Sequence, residues 1–269
     1  MNTPPMKSSG SAAFFNFRLL LGAWCCLIAL GFGANVAVAA ERPLRVLILS
    51  GQNNHNWAMT TPELKRILVD SGRFTVEVME TPERCTAETF SHYDVLLSNW
   101  NTFGKNVTVH EWPQEMREAF LGFVHKGGGL VVVHAGGASF QDWADYQKLI
   151  GGTWGPKTGH GIPHAFVVKP SPVANPITLG LTEFETTDEL WHRVPIQPDT
   201  TILATAFSSL DKKGTGKEEP VVWVTQFGQG RCFNTALGHD VRAMQSAGFK
   251  TLLVRGTEWA ARGTVTDQK

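Results

Sequence analysis

The chain has 269 residues, with 24 basic and 24 acidic side chains and 42 % hydrophobic residues. The balanced charge excludes a nucleic-acid or polyanion binder, which needs a basic excess, and nine Trp with 16 Phe exclude disorder. The 27 glycines follow no three-residue period, which excludes a collagen-like chain.

Residues 1–40 hold Lys7 and Arg18 and no acidic residue. An apolar run from Leu19 to Leu30 follows Arg18, and Ala37-Val38-Ala39 has the small-x-small form of a cleavage site. This order predicts a secretory signal peptide and hence a periplasmic or extracellular protein. The apolar run is about 12 residues, short of the roughly 20 of a spanning helix, so no stable membrane insertion is expected after cleavage. Trp24 stands before Cys25-Cys26, where lipidation needs a small residue. Residues 41–269 are then read as a single domain, with 22 basic residues against 24 acidic once Lys7 and Arg18 are removed. Cys85 and Cys232 remain in it, free to form one disulfide or none, and no C-x-x-C pair offers zinc or redox chemistry.

Leu44 to Ser50 is a short apolar run closed by Gly51 and reads as a buried strand. Thr60 to Asp70 reads as a helix with Thr61 as its cap and Pro62 in first position. Phe74–Met79 and Asp94–Ser98 follow as strands. Trp112, Met116, Phe120, Phe123 and Val124 make a helical stripe ended by Gly127. Gly129 to His134 is a fourth strand, apolar along its length, and Asp142 to Ile150 a short helix capped by Asp142. Apolar strands alternating with helices predict a mainly parallel sheet covered on both faces. Beyond residue 150, strand-like pieces occur at 165–169 and 201–207. A hairpin is expected across Phe227-Gly228-Gln229-Gly230, with a closing helix over Phe249–Ala261. The expected fold is α/β, mainly parallel, with an antiparallel extension.

Ligands of such sheets bind beyond the carboxyl ends of the strands. The first strand runs into Asn53, His55 and Trp57, and the fourth into His134, Gly136 and Gly137, whose missing side chains allow close approach of a ligand. His164 precedes a strand, Asp188 and Glu189 stand together, and His239 ends the hairpin's second strand. Imidazoles with carboxylates either ligate a divalent ion or act as acid and base. Trp57, Trp143 and Trp154 lie in loops near the same edge, and their faces suit the apolar C–H faces of sugars. His160 and His192 stand beside better candidates, while His92, His110 and His125 read as surface or packing residues. Neither G-x-G-x-x-G nor the Walker pattern occurs, so no nucleotide cofactor is expected.

Five segments in order carry a resemblance: Gly127–Ala135, Leu149–Gly152, Asn175–Leu181, Asp188–Trp191 and Gly230–His239. Together they resemble the trehalose-utilisation (ThuA-like) family of the class I glutamine-amidotransferase-like superfamily, from about Arg45 to Ala261. The resemblance implies a flavodoxin-like three-layer α/β/α sandwich and a role in carbohydrate metabolism, on oxidised (keto) disaccharides or glycosides. It also implies that His55, His134, His164, Asp188, Glu189 and His239 are the characteristic polar positions. Glutamine amidotransferases carry a nucleophilic Cys at the turn after a buried strand. Here His134 stands in that turn, so glutaminase chemistry is not expected.

The reading that follows is an exported hydrolase or lyase acting on a small carbohydrate. His134, His164 and His239 are the candidate ligands of one divalent metal, zinc or similar. His55, His134, Asp188, Glu189 and His239 are the candidate catalytic residues. Asn53, Trp57, Gly136, Trp143 and His164 are the candidate substrate contacts. A non-catalytic carbohydrate-binding module and a cell-envelope interaction domain are the alternatives, and oligomeric state is left open.

Overall fold

Along the first strand Val46 and Ile48 join one core while Leu47 and Leu49 join another, and all four are buried. Val131 and Val133 alternate with Leu130 and Val132 in the same way. Such strands need cover on both faces, so each must sit between two layers of helix. The computed structural model of the protein describes residues 42–105 and 107–266. The expected signal peptide and its cleavage site lie outside these residues.

The elements in chain order begin with β1 (Leu44–Leu49), α1 (Trp57–Asp70), β2 (Phe74–Met79), α2 (Ala87–Ser91), β3 (Val95–Ser98), α3 (Gln114–His125) and β4 (Gly129–Val133). They continue with α4 (Ala144–Ile150), β5 (Gly159–His160), β6 (His164–Pro170), β7 (Phe184–Asp188), β8 (Trp191–His192), β9 (Thr201–Ser208), β10 (Lys217–Phe227), β11 (Gly230–Thr235) and α5 (Ala247–Arg262). Nine strands form one sheet in the order β2-β1-β3-β4-β11-β10-β9-β6-β7. Pairing is parallel from β2 to β11 and antiparallel from β11 to β7. β5 and β8 make a separate antiparallel pair.

Leu64, Ile67 and Leu68 of α1 and Leu252 and Leu253 of α5 fill one core, while Phe90, Met116, Phe120, Tyr146 and Leu149 from α2, α3 and α4 fill the other. The fold is the expected α/β/α sandwich with its antiparallel extension. Each such side chain contributes about 1.5–3 kcal/mol by leaving water. No helix among the described residues is long and apolar enough to cross a membrane.

Two local expectations are corrected. α1 begins at Trp57, a turn before the expected start, and Pro62 lies inside it. Thr61 does not cap the helix, because its hydroxyl bonds the Ser50 hydroxyl at 2.6 Å and accepts from Asn99 Nδ2 at 2.9 Å. That arrangement ties the carboxyl ends of β1 and β3 to α1. α4 begins at Ala144, and no side chain caps it. Cys85 and Cys232 are free and buried.

Candidate functional site

Strand direction explains why distant residues meet. β1, β4 and β11 run parallel, and alternation through β10, β9 and β6 turns β7 the same way. The segments after these four strands therefore leave the same edge of the sheet, and they carry His55, His134, His239 and Glu189. One ligand atom from each of these four residues lies within 4.8 Å of every other. The ring centroids of His55 lie 4.9 Å from His134 and 4.5 Å from His239.

Each side chain is aimed by a partner behind it. Gly51 leaves β1 at φ +96°, where a Cβ would collide with the Glu80 carbonyl. In the loop that follows, Asn53 Oδ1 accepts from the His55 amide at 2.8 Å and lies 3.1 Å from His55 Nδ1. Asn53 Nδ2 donates to the Asn99 carbonyl, which fixes the amide's orientation. His55 Nδ1 therefore carries the proton, and Nε2 keeps its lone pair. His134 sits directly after β4 at φ +39°, a conformation that costs of order 1–3 kcal/mol for a residue with a side chain. Its Nδ1 donates to the Ala236 carbonyl at 2.6 Å, so Nε2 again keeps the lone pair. This backing is the pattern of imidazoles that ligate metals.

Asp188 holds the remaining two members. Its carboxylate accepts from the amides of Glu189 and Gly238, each at 2.7 Å, and of His239 at 3.2 Å. It is 3 % exposed. Burial pushes this carboxyl up from the usual carboxylate range, while the His134 ring and the three amides pull it back. Asp188 is thus a positioning residue rather than one of the converging groups.

Within the cluster Glu189 Oε2 lies 3.2 Å from His239 Nδ1 and 3.6 Å from His134 Nε2. Burial alone would raise the Glu189 carboxyl, but the adjacent His134 and His239 outweigh it and hold the carboxyl well below its ordinary range. The same carboxylate raises His239, against the opposing effect of burial. His55 is lowered to about 3, first by burial and then by the neighbouring His134 and His239. His134 Nε2 and His239 Nδ1 are buried without a hydrogen-bond partner. Such orphaned atoms are rare in folded proteins and point to a missing ligand. An ion bonded at about 2.1 Å to tetrahedral ligands sets them roughly 3.4 Å apart, close to the two separations from Glu189. The three imidazoles and one carboxylate can therefore hold a divalent metal.

Of the expected metal set, His134 and His239 belong to this group and His164 does not. The His164 Nδ1 bonds the Ile162 carbonyl at 2.8 Å, and its ring rests on Phe166. His55 and Glu189 complete the set instead. Asn53 backs His55. Gly136 is buried, and a Cβ there would stand 2.6 Å from the Ser98 carbonyl, so its small size serves packing. Trp143 is buried against Tyr146 and under Arg117. Trp57 opens α1 and is absent from the lining of the hollow beside the cluster. That hollow, about 460 Å³, is bordered by Asn54, His55, Met59, His239 and Arg242.

His160 belongs to the site although its sequence context did not single it out. Pairing of β5 with β8 places it opposite Trp191. Its Nδ1 lies 3.1 Å from Glu189 Oε1 and 2.7 Å from the Gly161 carbonyl. Both neighbours only accept, so Nδ1 carries a proton. The Trp191 ring packs 4.8 Å from His134 and 4.9 Å from Trp154. Among the described residues the two thiols are held protonated: burial pushes Cys85 up to about 11 and Cys232 higher still, and neither follows β4.

The protein is thus an α/β/α sandwich whose strand ends gather three imidazoles and a carboxylate at one edge. The chain belongs to the ThuA family, described as trehalose utilisation, whose model matches residues 45–260. Membership ties it to carbohydrate utilisation. It is similar to a ThuA-like protein of Parabacteroides merdae ATCC 43184, with 32 % identity over 85 % of this chain and 93 % of that one and a TM-score of 0.76. A ThuA-like protein of Bacteroides uniformis ATCC 8492 shares 20 % identity over 87 % and 98 %, with a TM-score of 0.64. A β-galactosidase from Rahnella sp. R3 shares the fold alone, at 15 % identity over 82 % of this chain and 32 % of that enzyme, with a TM-score of 0.54. A comparison with curated proteins returns no match.

Proposed function

We propose that the protein is a metal-dependent enzyme that cleaves a glycosidic bond in an oxidised (keto) sugar or glycoside, as a lyase or hydrolase, after export by its N-terminal segment. The observation that carries this reading is the pair of orphaned buried nitrogens, His134 Nε2 and His239 Nδ1, beside the Glu189 carboxylate. Family membership supports the carbohydrate, and the apolar run of residues 19–30 supports export.

His55, His134, Glu189 and His239 would hold the ion. A bound divalent cation polarises a carbonyl or hydroxyl oxygen and lowers the pKa of water beside it. The chain's own groups do the rest. Asn53 and the Ala236 carbonyl keep two imidazoles turned with their lone pairs inward. Asp188 keeps Glu189 and His239 in register. His160 is half-exposed, stands outside the ligand set and holds a proton next to Glu189 Oε1. We assign it to proton transfer with the substrate.

The test is elemental analysis and turnover on one preparation. Wild-type protein is expected to carry one divalent ion per chain and to release glucose from trehalose oxidised to a ketone on one ring. His134→Ala is expected to lose both. Sugar binding without turnover would select a binding module, and an unchanged metal content in His134→Ala would refute the assigned ligand set.

A further inference from the structure

The β5–β8 pair that carries His160 is two residues long on each strand. A ladder so short does not hold itself, so His160 keeps its place beside Glu189 only if the chain around it is anchored elsewhere. Both anchors lead to one residue, Glu219 of β10.

The first anchor runs through the residue after β8. Arg193 has φ +57°, a left-handed conformation that is costly for a residue with a side chain. Its amide donates to Glu219 Oε2 at 2.9 Å. Its carbonyl accepts from the Thr158 hydroxyl at 3.1 Å, and Thr158 Oγ1 accepts in turn from the Gly155 amide at 2.9 Å. Thr158 directly precedes β5. The second anchor runs through the turn between β9 and β10, residues 209–216. The Thr215 hydroxyl donates to Glu219 Oε1 at 2.6 Å. In the same turn the Lys212 carbonyl accepts from the Ile162 amide at 3.1 Å, and it stands so close to Gly161 that no Cβ fits there. Gly161 and Ile162 follow His160 directly. The two oxygens of one carboxylate therefore hold the chain on either side of His160.

Glu219 is 8 % exposed, and both of its donors are uncharged. A buried carboxylate without a cation beside it is costly, and so is the backbone of Arg193, yet the fold joins the two. Glu219 is not one of the four cluster residues; it acts through the chain that carries His160. We propose that Glu219 is a positioning residue. It holds Arg193 in its left-handed turn and the 209–216 turn against Ile162, and so keeps His160 Nδ1 3.1 Å from Glu189 Oε1. The part His160 plays there rests on the function proposed above.

The test reads amide hydrogen exchange by mass spectrometry over residues 156–164, together with metal content and steady-state kinetics on the oxidised trehalose. In Glu219→Ala, exchange over 156–164 is expected to speed up about tenfold and kcat to fall about ten- to a hundredfold, with KM and metal content unchanged. Glu219→Gln is expected to behave as wild type in both, because its amide oxygen accepts from Arg193 while its NH₂ donates to Thr215 Oγ1. Arg193→Gly added to Glu219→Ala supplies a residue that adopts a positive φ freely. The Arg193 side chain is exposed, so no packing is lost, and the double variant is expected to recover part of the slow exchange and part of kcat. Unchanged exchange over 156–164 in Glu219→Ala overturns the proposal. Fast exchange spread over the whole chain that Arg193→Gly leaves uncorrected overturns it too, since Glu219 would then serve the fold alone. Faster exchange confined to 156–164 with kcat unchanged keeps Glu219 as the anchor and removes His160 from the reaction instead.

Discussion

Asp188→Asn changes one oxygen into an NH₂ group and leaves the volume alone. In the native protein one carboxylate oxygen accepts from the Glu189 and His239 amides and the other from the Gly238 amide. The asparagine oxygen can keep the first pair, but its NH₂ then faces the Gly238 N–H, a donor against a donor. Hydrogen bonds to a charged group contribute about 1.5–3 kcal/mol each. Losing one at 2.7 Å, with a buried N–H left over, is expected to cost about 2–4 kcal/mol. For a domain of this size that lowers Tm by roughly 5–12 °C. Because these amides position Glu189 and His239, two of the four cluster residues, zinc affinity is expected to fall ten- to a hundredfold. Scanning calorimetry and zinc titration on the same samples check both numbers. An Asp188→Asn protein with wild-type Tm and wild-type zinc affinity would refute the view that this carboxylate organises the site.

Adding zinc at a hundred times its Kd to chelated protein is expected to stabilise it by about 2.7 kcal/mol, read as a rise of roughly 5–10 °C in Tm that His134→Ala does not show. His160→Gln is expected to lower kcat about 10²–10⁴-fold with KM and metal content little changed; steady-state kinetics with elemental analysis decide this. Gly136→Ala forces a Cβ to within 2.6 Å of the Ser98 carbonyl and is expected to cost about 1–3 kcal/mol, measured by urea unfolding. In metal-free protein His55 has a folded pKa of about 3 against an ordinary 6.5, so the unfolded chain binds more protons between those values. Stability is therefore expected to fall as pH drops from 6.5 towards 3. His55→Gln should show a shallower fall in Tm measured across that window in EDTA.

The sandwich was legible because β1, β3 and β4 bury both faces and so read as unbroken apolar runs. His55 and His134 were legible for a related reason, since each follows such a strand, and His239 because it ends the hairpin's second strand; parallel strands release their loops on one edge. Glu189 and Asp188 were found as a pair, but adjacent carboxylates look alike in sequence. Only the three amides around Asp188 separate the residue that positions from the one that faces the cluster. His160 reaches the cluster through the two-residue pairing of β5 with β8, too short to leave a periodic signal. His164 begins the antiparallel β6 and pairs with Asp188 at the same edge, yet its Nδ1 bonds the Ile162 carbonyl and its ring rests on Phe166, so it stands outside the cluster, which no feature of the sequence shows. The early start of α1 was hidden because Thr61-Pro62-Glu63 has the composition of a helix start while its hydroxyl serves Asn99.

The four ligand atoms come from four widely separated stretches of the polypeptide. A nascent or unfolded chain therefore offers isolated imidazoles and carboxylates but no multidentate chelator, and capture of an ion by this group would have to follow completion of the tertiary structure. Divalent ions compete in an order that favours copper over zinc and zinc over manganese for a given set of donors. The compartment in which folding finishes, and the free ion concentrations there, would then decide which ion the proposed site captures as much as the donors themselves do.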